Sequence, residues 1–131
     1  MKTLIVEDDF TSRLIMQEML RDIGIVHVVV DGQEAVEAVR LALAAREPYH
    51  LICLDIVMPG LDGQQALRVI REMELEYGLT TSDRSKILVT TSLDDQENRT
   101  RAFQGLCDGY LTKPIHRKTL ISELKTFGFS L

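Results

Sequence analysis

The chain has 131 residues, 45% of them hydrophobic, which suits one domain with a packed core and leaves little room for a second. Fifteen basic side chains against twenty acidic ones give a net charge of −5, a poor match to a nucleic-acid backbone. No apolar run reaches bilayer length, and Leu4-Ile5-Val6 is too short for a secretory leader, so a cytoplasmic protein without nucleic-acid or membrane partners is expected.

Short apolar runs alternate with longer stretches of helical period. The first run, TLIV (3–6), reads as a strand and ends in Glu7, Asp8 and Asp9, of which Asp9 suits a helix N-cap. Leu14, Met19, Leu20 and Ile23 then share a helical face. After the strand VHVVV (26–30), Asp31 can cap a second helix while Glu34 reaches back, and Val36, Val39 and Leu43 form its stripe. The strand HLICL (50–54) runs straight into Asp55, followed by a turn on Met58-Pro59-Gly60 and by Asp62-Gly63, where Asp62 reads as a cap. Ala66, Leu67, Ile70, Met73 and Tyr77 mark the third helix. KILVTT (86–91) ends at Thr91-Ser92, Ala102, Phe103 and Leu106 form a shorter fourth stripe, and GYLT (109–112) leads into Lys113-Pro114. Leu120, Ile121, Leu124 and Phe127 mark the fifth helix. Cys53 and Cys107 lie in or beside strands without zinc-type spacing and read as buried, reduced thiols.

Five successive βα units predict an α/β fold: an open, doubly wound parallel sheet with helices on both faces. Ligands bind such sheets at the carboxyl ends of the strands, where the strand order reverses. Those ends carry Glu7, Asp8, Asp55, Thr91 and Lys113. Gathered carboxylates repel one another, and a hard divalent cation such as Mg2+ removes that cost. A lysine and a hydroxyl opposite the metal suit the remaining oxygens of a phosphoryl group. Asp55, at the mouth of the sheet, is placed to act as a nucleophile, and the tight Pro59-Gly60 loop can turn a backbone carbonyl near Val57 back toward the metal.

The ordered set LIVEDD, VVDGQEAVEAV, LICLDIVMPGLDG, ILVTTS and GYLTKPI resembles the receiver domain of two-component response regulators, the CheY-like fold, over essentially the whole chain. The resemblance implies a flavodoxin-like strand order 2-1-3-4-5 with five helices. It implies that Asp55 is the phosphoacceptor, that Asp8 binds Mg2+ directly and Glu7 through water, and that the Val57 carbonyl is a further ligand. Thr91 then corresponds to the switch hydroxyl, Lys113 to the lysine that pairs with the phosphoryl group, and Tyr110 to the aromatic that swings inward behind the threonine. Ser92 takes the place of a small residue that leaves the acceptor accessible, and the Lys113-Pro114 bond is expected to be cis. YGLTTSDRSK (77–86) is longer than usual and is assigned to an extended third helix and a surface loop far from the site. Val57 and Leu93 are apolar where many relatives carry polar groups, which implies a long-lived phosphoryl group.

The function so implied is a switch of a two-component phosphorelay, residues 1–131 forming one receiver with no effector domain. A sensor histidine kinase or histidine phosphotransfer protein is the expected donor. A separate output protein is expected on the face formed by helix 4, strand 5 and helix 5. No enzyme activity is expected beyond the chain's own phosphorylation and dephosphorylation. The alternatives are a metal-dependent phosphatase with an aspartyl-phosphate intermediate, a flavin or nucleotide binder and a phosphate-independent adaptor. Val57 stands where the phosphatase needs a second carboxylate, and EDD repels the phosphate that a nucleotide loop must cradle.

Overall fold

The computed structural model describes residues 1–56, 63–92 and 106–131. Five parallel strands form one sheet in the order β2-β1-β3-β4-β5: β1 (Lys2–Val6), β2 (Ile25–Val29), β3 (Leu51–Asp55), β4 (Lys86–Thr91) and β5 (Gly109–Thr112). This is the expected flavodoxin-like order, with each strand within a residue of its expected bounds. The order reverses between β1 and β3, so the residues just beyond Val6 and Asp55 lie side by side.

Successive side chains on a strand point to opposite faces, which explains why the central runs are apolar throughout. Leu4, Val6, Ile52, Leu54, Ile87 and Val89 form one core with Ala35, Val39, Leu43, Leu67 and Ile70. Ile5, Leu51, Cys53 and Leu88 form the other with Met16, Leu20, Leu120 and Leu124. The helices that supply these partners are α1 (Phe10–Leu20), α2 (Gly32–Ala44), α3 (Gly63–Glu76) and α4 (Arg117–Thr126). A short 3-10 turn, Arg21–Ile23, follows α1.

Four α-helices are present among the described residues, where five were expected. The last, α4, is the fifth helical stretch of the sequence; the stretch with Ala102 and Phe103 lies outside the described residues, and Leu106 stands in a turn. In α1 the buried side chains are Met16 and Leu20, whereas Leu14 is 49% exposed. Two residues along a helix rotate the side chain by roughly 200°, so a stripe through Met16 turns Leu14 to solvent. Tyr77 falls beyond α3 and is half exposed, because the helix ends at Glu76 and Gly78 adopts a positive φ. The 77–85 connection precedes β4, at the opposite end of that strand from Thr91, and so lies away from the carboxyl ends. Cys53 is fully buried, with its thiol pushed up to about 12, while Cys107 is only half-buried.

Candidate functional site

The first βα connection brings Glu7 and Asp8 to the mouth of the sheet. Glu7 leaves β1 still hydrogen-bonded, its N–H donating to the Val29 carbonyl at 3.1 Å. Asp9 then starts α1, accepting the Ser12 N–H at 2.8 Å, a bond that holds its carboxyl below the usual range. Arg13, one turn along the helix, donates to the Glu7 and Asp8 carbonyls at 3.2 and 3.4 Å and ties the acidic loop to α1. Glu7 is thereby buried and Asp8 exposed.

Asp55 closes β3 and is 5% exposed. The chain beyond it is held by Ile56 N–H donating to the Thr90 carbonyl at 3.3 Å. Gly63 opens α3 directly against this turn, and a Cβ there would lie 2.6 Å from the Asp55 carbonyl oxygen and 2.4 Å from the Ile56 Cα. Only glycine admits so close a backbone approach.

Lys113 follows β5, its N–H donating to the Thr91 carbonyl at 2.7 Å, and its peptide bond to Pro114 is cis. Its ammonium group bridges two carboxylates, donating to Glu7 Oε1 and, at 3.2 Å, to Asp55 Oδ2. Burial pulls the lysine's pKa down, but the Glu7 bond and the fields of Asp55 and Glu7 outweigh it and raise it. Thr91 is fully buried at the end of β4, its hydroxyl donating to the Ser92 carbonyl at 3.3 Å, and Ser92 is exposed beside it. Tyr110 lies on edge strand β5, paired in register with Val89 and 42% exposed, an outward placement for that ring. Glu7, Asp8, Asp55 and Lys113 are therefore brought together, with Thr91 one strand away. Val57, Leu93, Asp62 and the Met58-Pro59-Gly60 turn lie outside the described residues.

The electrostatics of this group are lopsided. Carboxylate oxygens of Glu7, Asp8 and Asp55 lie within 4.8 Å of one another, and a single ammonium serves two of them. Glu7 takes the strain: burial first, then its hydrogen bond to Asp55, raise its carboxyl to about 7 against the pull of Lys113. Its Oε2 is buried with no hydrogen-bond partner. An orphaned carboxylate oxygen beside two further carboxylates is what a hard, oxygen-seeking cation such as Mg2+ satisfies, so the donor set fits that ion.

The sequence reading missed Arg13, the reason for Gly63, and a buried cluster of Arg71, Glu74 and Asp108. Arg71 and Glu74 fall on the apolar side of α3, spaced i, i+3 among Leu67, Ile70 and Met73, and that intrusion into a hydrophobic stripe was the available signal.

Comparison with known proteins agrees with this geometry. The model of the response regulator receiver domain matches residues 3–125. Probable histidine kinase 2 of Oryza sativa subsp. indica is 34% identical over 95% of this chain, which spans 12% of that protein. Sensor protein GacS of Pseudomonas syringae pv. syringae is 35% identical over 99% of the chain, which spans 14% of it. The receiver domain of the histidine kinase CKI1 from Arabidopsis thaliana, solved in complex with Mg2+ and BeF3-, superposes with a TM-score of 0.81 at 28% identity, covering 95% of this chain and 89% of that one. No helix among the described residues is long and apolar enough to cross a membrane. With the matched segment covering nearly its full length and the acidic cluster at the sheet's switch point, the chain belongs to the response regulator receiver domain family.

Proposed function

We propose that this chain is a phosphoacceptor switch in a two-component phosphorelay, and that it does its work in the cytoplasm. The observation that carries this reading is the sharing of Lys113 between Glu7 and Asp55 beside exposed Asp8. A structural ion pair needs one carboxylate; a charged, incompletely neutralised pocket suits an incoming metal and phosphoryl group. A carboxylate oxygen of Asp55 forms the new O–P bond as the P–N bond of a donor phosphohistidine breaks, the electron pair remaining on the imidazole nitrogen. Glu7, Asp8, Asp55 and the Val57 carbonyl would hold Mg2+, which supplies positive charge to the transferring oxygens. Lys113 meets those oxygens from the other side. Thr91 then turns toward the acquired phosphoryl group, Tyr110 follows, and the face including β5 and α4 changes its affinity for a separate output protein.

The donor is a sensor histidine kinase or histidine phosphotransfer protein, and the chain acts catalytically only on its own phosphoryl group. Val57 and Leu93 cannot orient a hydrolytic water, so the phosphoryl group decays slowly. Beryllofluoride, a phosphoryl mimic, tests the reading with Mg2+ present. Amide resonances of Ile56, Thr91 and Lys113 should shift in the native protein and stay put in Asp55→Ala. Equal shifts in both proteins would place the anion elsewhere.

A further inference from the structure

At the amino ends of β4 and β5, away from the acceptor, lies a buried charged cluster that phosphoryl transfer does not use. Arg71 Nε donates to the Leu106 carbonyl at 2.7 Å, Nη1 to Glu74 Oε1 at 2.7 Å and the Ser85 carbonyl at 2.9 Å, and Nη2 to Asp108 Oδ2 at 3.0 Å. The same Asp108 oxygen accepts the Ile87 N–H at 2.8 Å, and Glu74 Oε2 accepts the Ser85 N–H at 2.8 Å. Arg71 is 5% exposed and Glu74 2%. Well-packed apolar residues commonly stabilise a core as well as buried ions do, so stability alone is a weak reason for this cluster. Its distinguishing property is what it fastens.

Two segments leave the acceptor site. One follows Ile56 and enters α3 at Gly63; the other follows Ser92 and returns at Leu106. Arg71, which belongs to α3, grips Leu106 and Asp108 immediately before β5. From there β5 runs directly to Tyr110 and Lys113. Resting on the phosphoacceptor reading, we propose that Arg71 is a positioning residue for the switch. It clamps residues 106–108 to α3 and to the start of β4, so β5 keeps its register on β4 and a displacement begun at Thr91 is carried across the paired strands into the β5 edge.

Two variants test this. Arg71→Lys keeps the charge but loses the planar fork of donors. Arg71→Met with Glu74→Gln and Asp108→Asn removes the charges yet leaves acceptors for the Ser85 and Ile87 amides. Each is compared with native protein by amide spectra with and without Mg2+ and beryllofluoride, and by the rate of phosphoryl uptake from acetyl phosphate. Native protein should shift at both Thr91–Ser92 and Tyr110–Lys113. The variants should keep the first shift, lose at least about half of the second, and take up phosphoryl within about twofold of the native rate. Arg71→Lys carries the comparison if the triple variant does not fold. Full shifts at both places in a folded variant, or uptake falling together with the response, would overturn the clamp. A native protein with no shift at Thr91 would instead overturn the phosphoacceptor reading, and the clamp with it.

Discussion

Glu7 is where the charge imbalance of the site becomes measurable. In the unfolded chain a glutamate ionises near 4.5, whereas in the metal-free fold Glu7 keeps its proton up to about 7. Between these values the folded state binds a proton that the unfolded state has released. The contribution to stability is therefore complete below 4.5 and lost as pH rises through 7, a difference on the order of 3 kcal/mol. Denaturation of metal-free protein should show it as a falling stability over that window, flattened in Glu7→Gln; parallel profiles would contradict the assignment. Lys113→Met should leave Glu7 and Asp55 without their cation and slow phosphoryl uptake by about a hundredfold, the scale for removing one electrostatic stabiliser. Initial rates measured by intact mass check this. The identities of Glu7, Asp8, Asp55 and Lys113 were legible because each stands at or just past the end of a strand-like run. The orphaned Glu7 oxygen was not, since it depends on how the ends of β1, β3 and β5 converge.

At the level of elements, the caps and strand runs read true because their causes are local. Asp31 accepts the Glu34 N–H at 2.8 Å, and Glu34 reaches back to the Val30 N–H at 3.2 Å, a reciprocal arrangement visible in DGQE. Asp31→Ala should cost about 1 kcal/mol and lower the melting temperature by a few degrees, with uptake at Asp55 preserved. Gly63 behaves differently. Its sequence signal, an Asp-Gly pair, marks only a turn, but in the fold it lets α3 start directly against the Asp55 carbonyl. Gly63→Ala should force the two backbones apart and depress uptake at Asp55 far more than Asp31→Ala does at comparable loss of stability. Equal losses in the two variants would show the approach to be ordinary packing. In the α1 stripe Leu20 is buried and Met19 and Ile23 pack on the same core, and only Leu14 was misplaced, because several apolar residues compete for one face and docking against β1 and β2 selects Met16 instead. Arg71 and Glu74 left a trace, two charges on the apolar side of α3, but their partner Asp108 did not, since the chain brings it to them only on folding.

For the whole molecule, one sheet explains both the core and the site. Parallel strands covered on both faces need continuous apolar runs, and the same topology gathers polar side chains from distant parts of the chain at their carboxyl ends. Magnesium should stabilise the fold by relieving the repulsion there, by about 1.4 kcal/mol at ten times its dissociation constant, and a thermal melt without any magnesium response would contradict the donor set. The central claim is that Asp55 accepts the phosphoryl group, and intact-mass analysis after incubation with acetyl phosphate and Mg2+ tests it most directly. The native protein should gain one base-labile phosphoryl group, and Asp55→Ala none. The same gain in Asp55→Ala, or an adduct found on a serine or histidine, would contradict it.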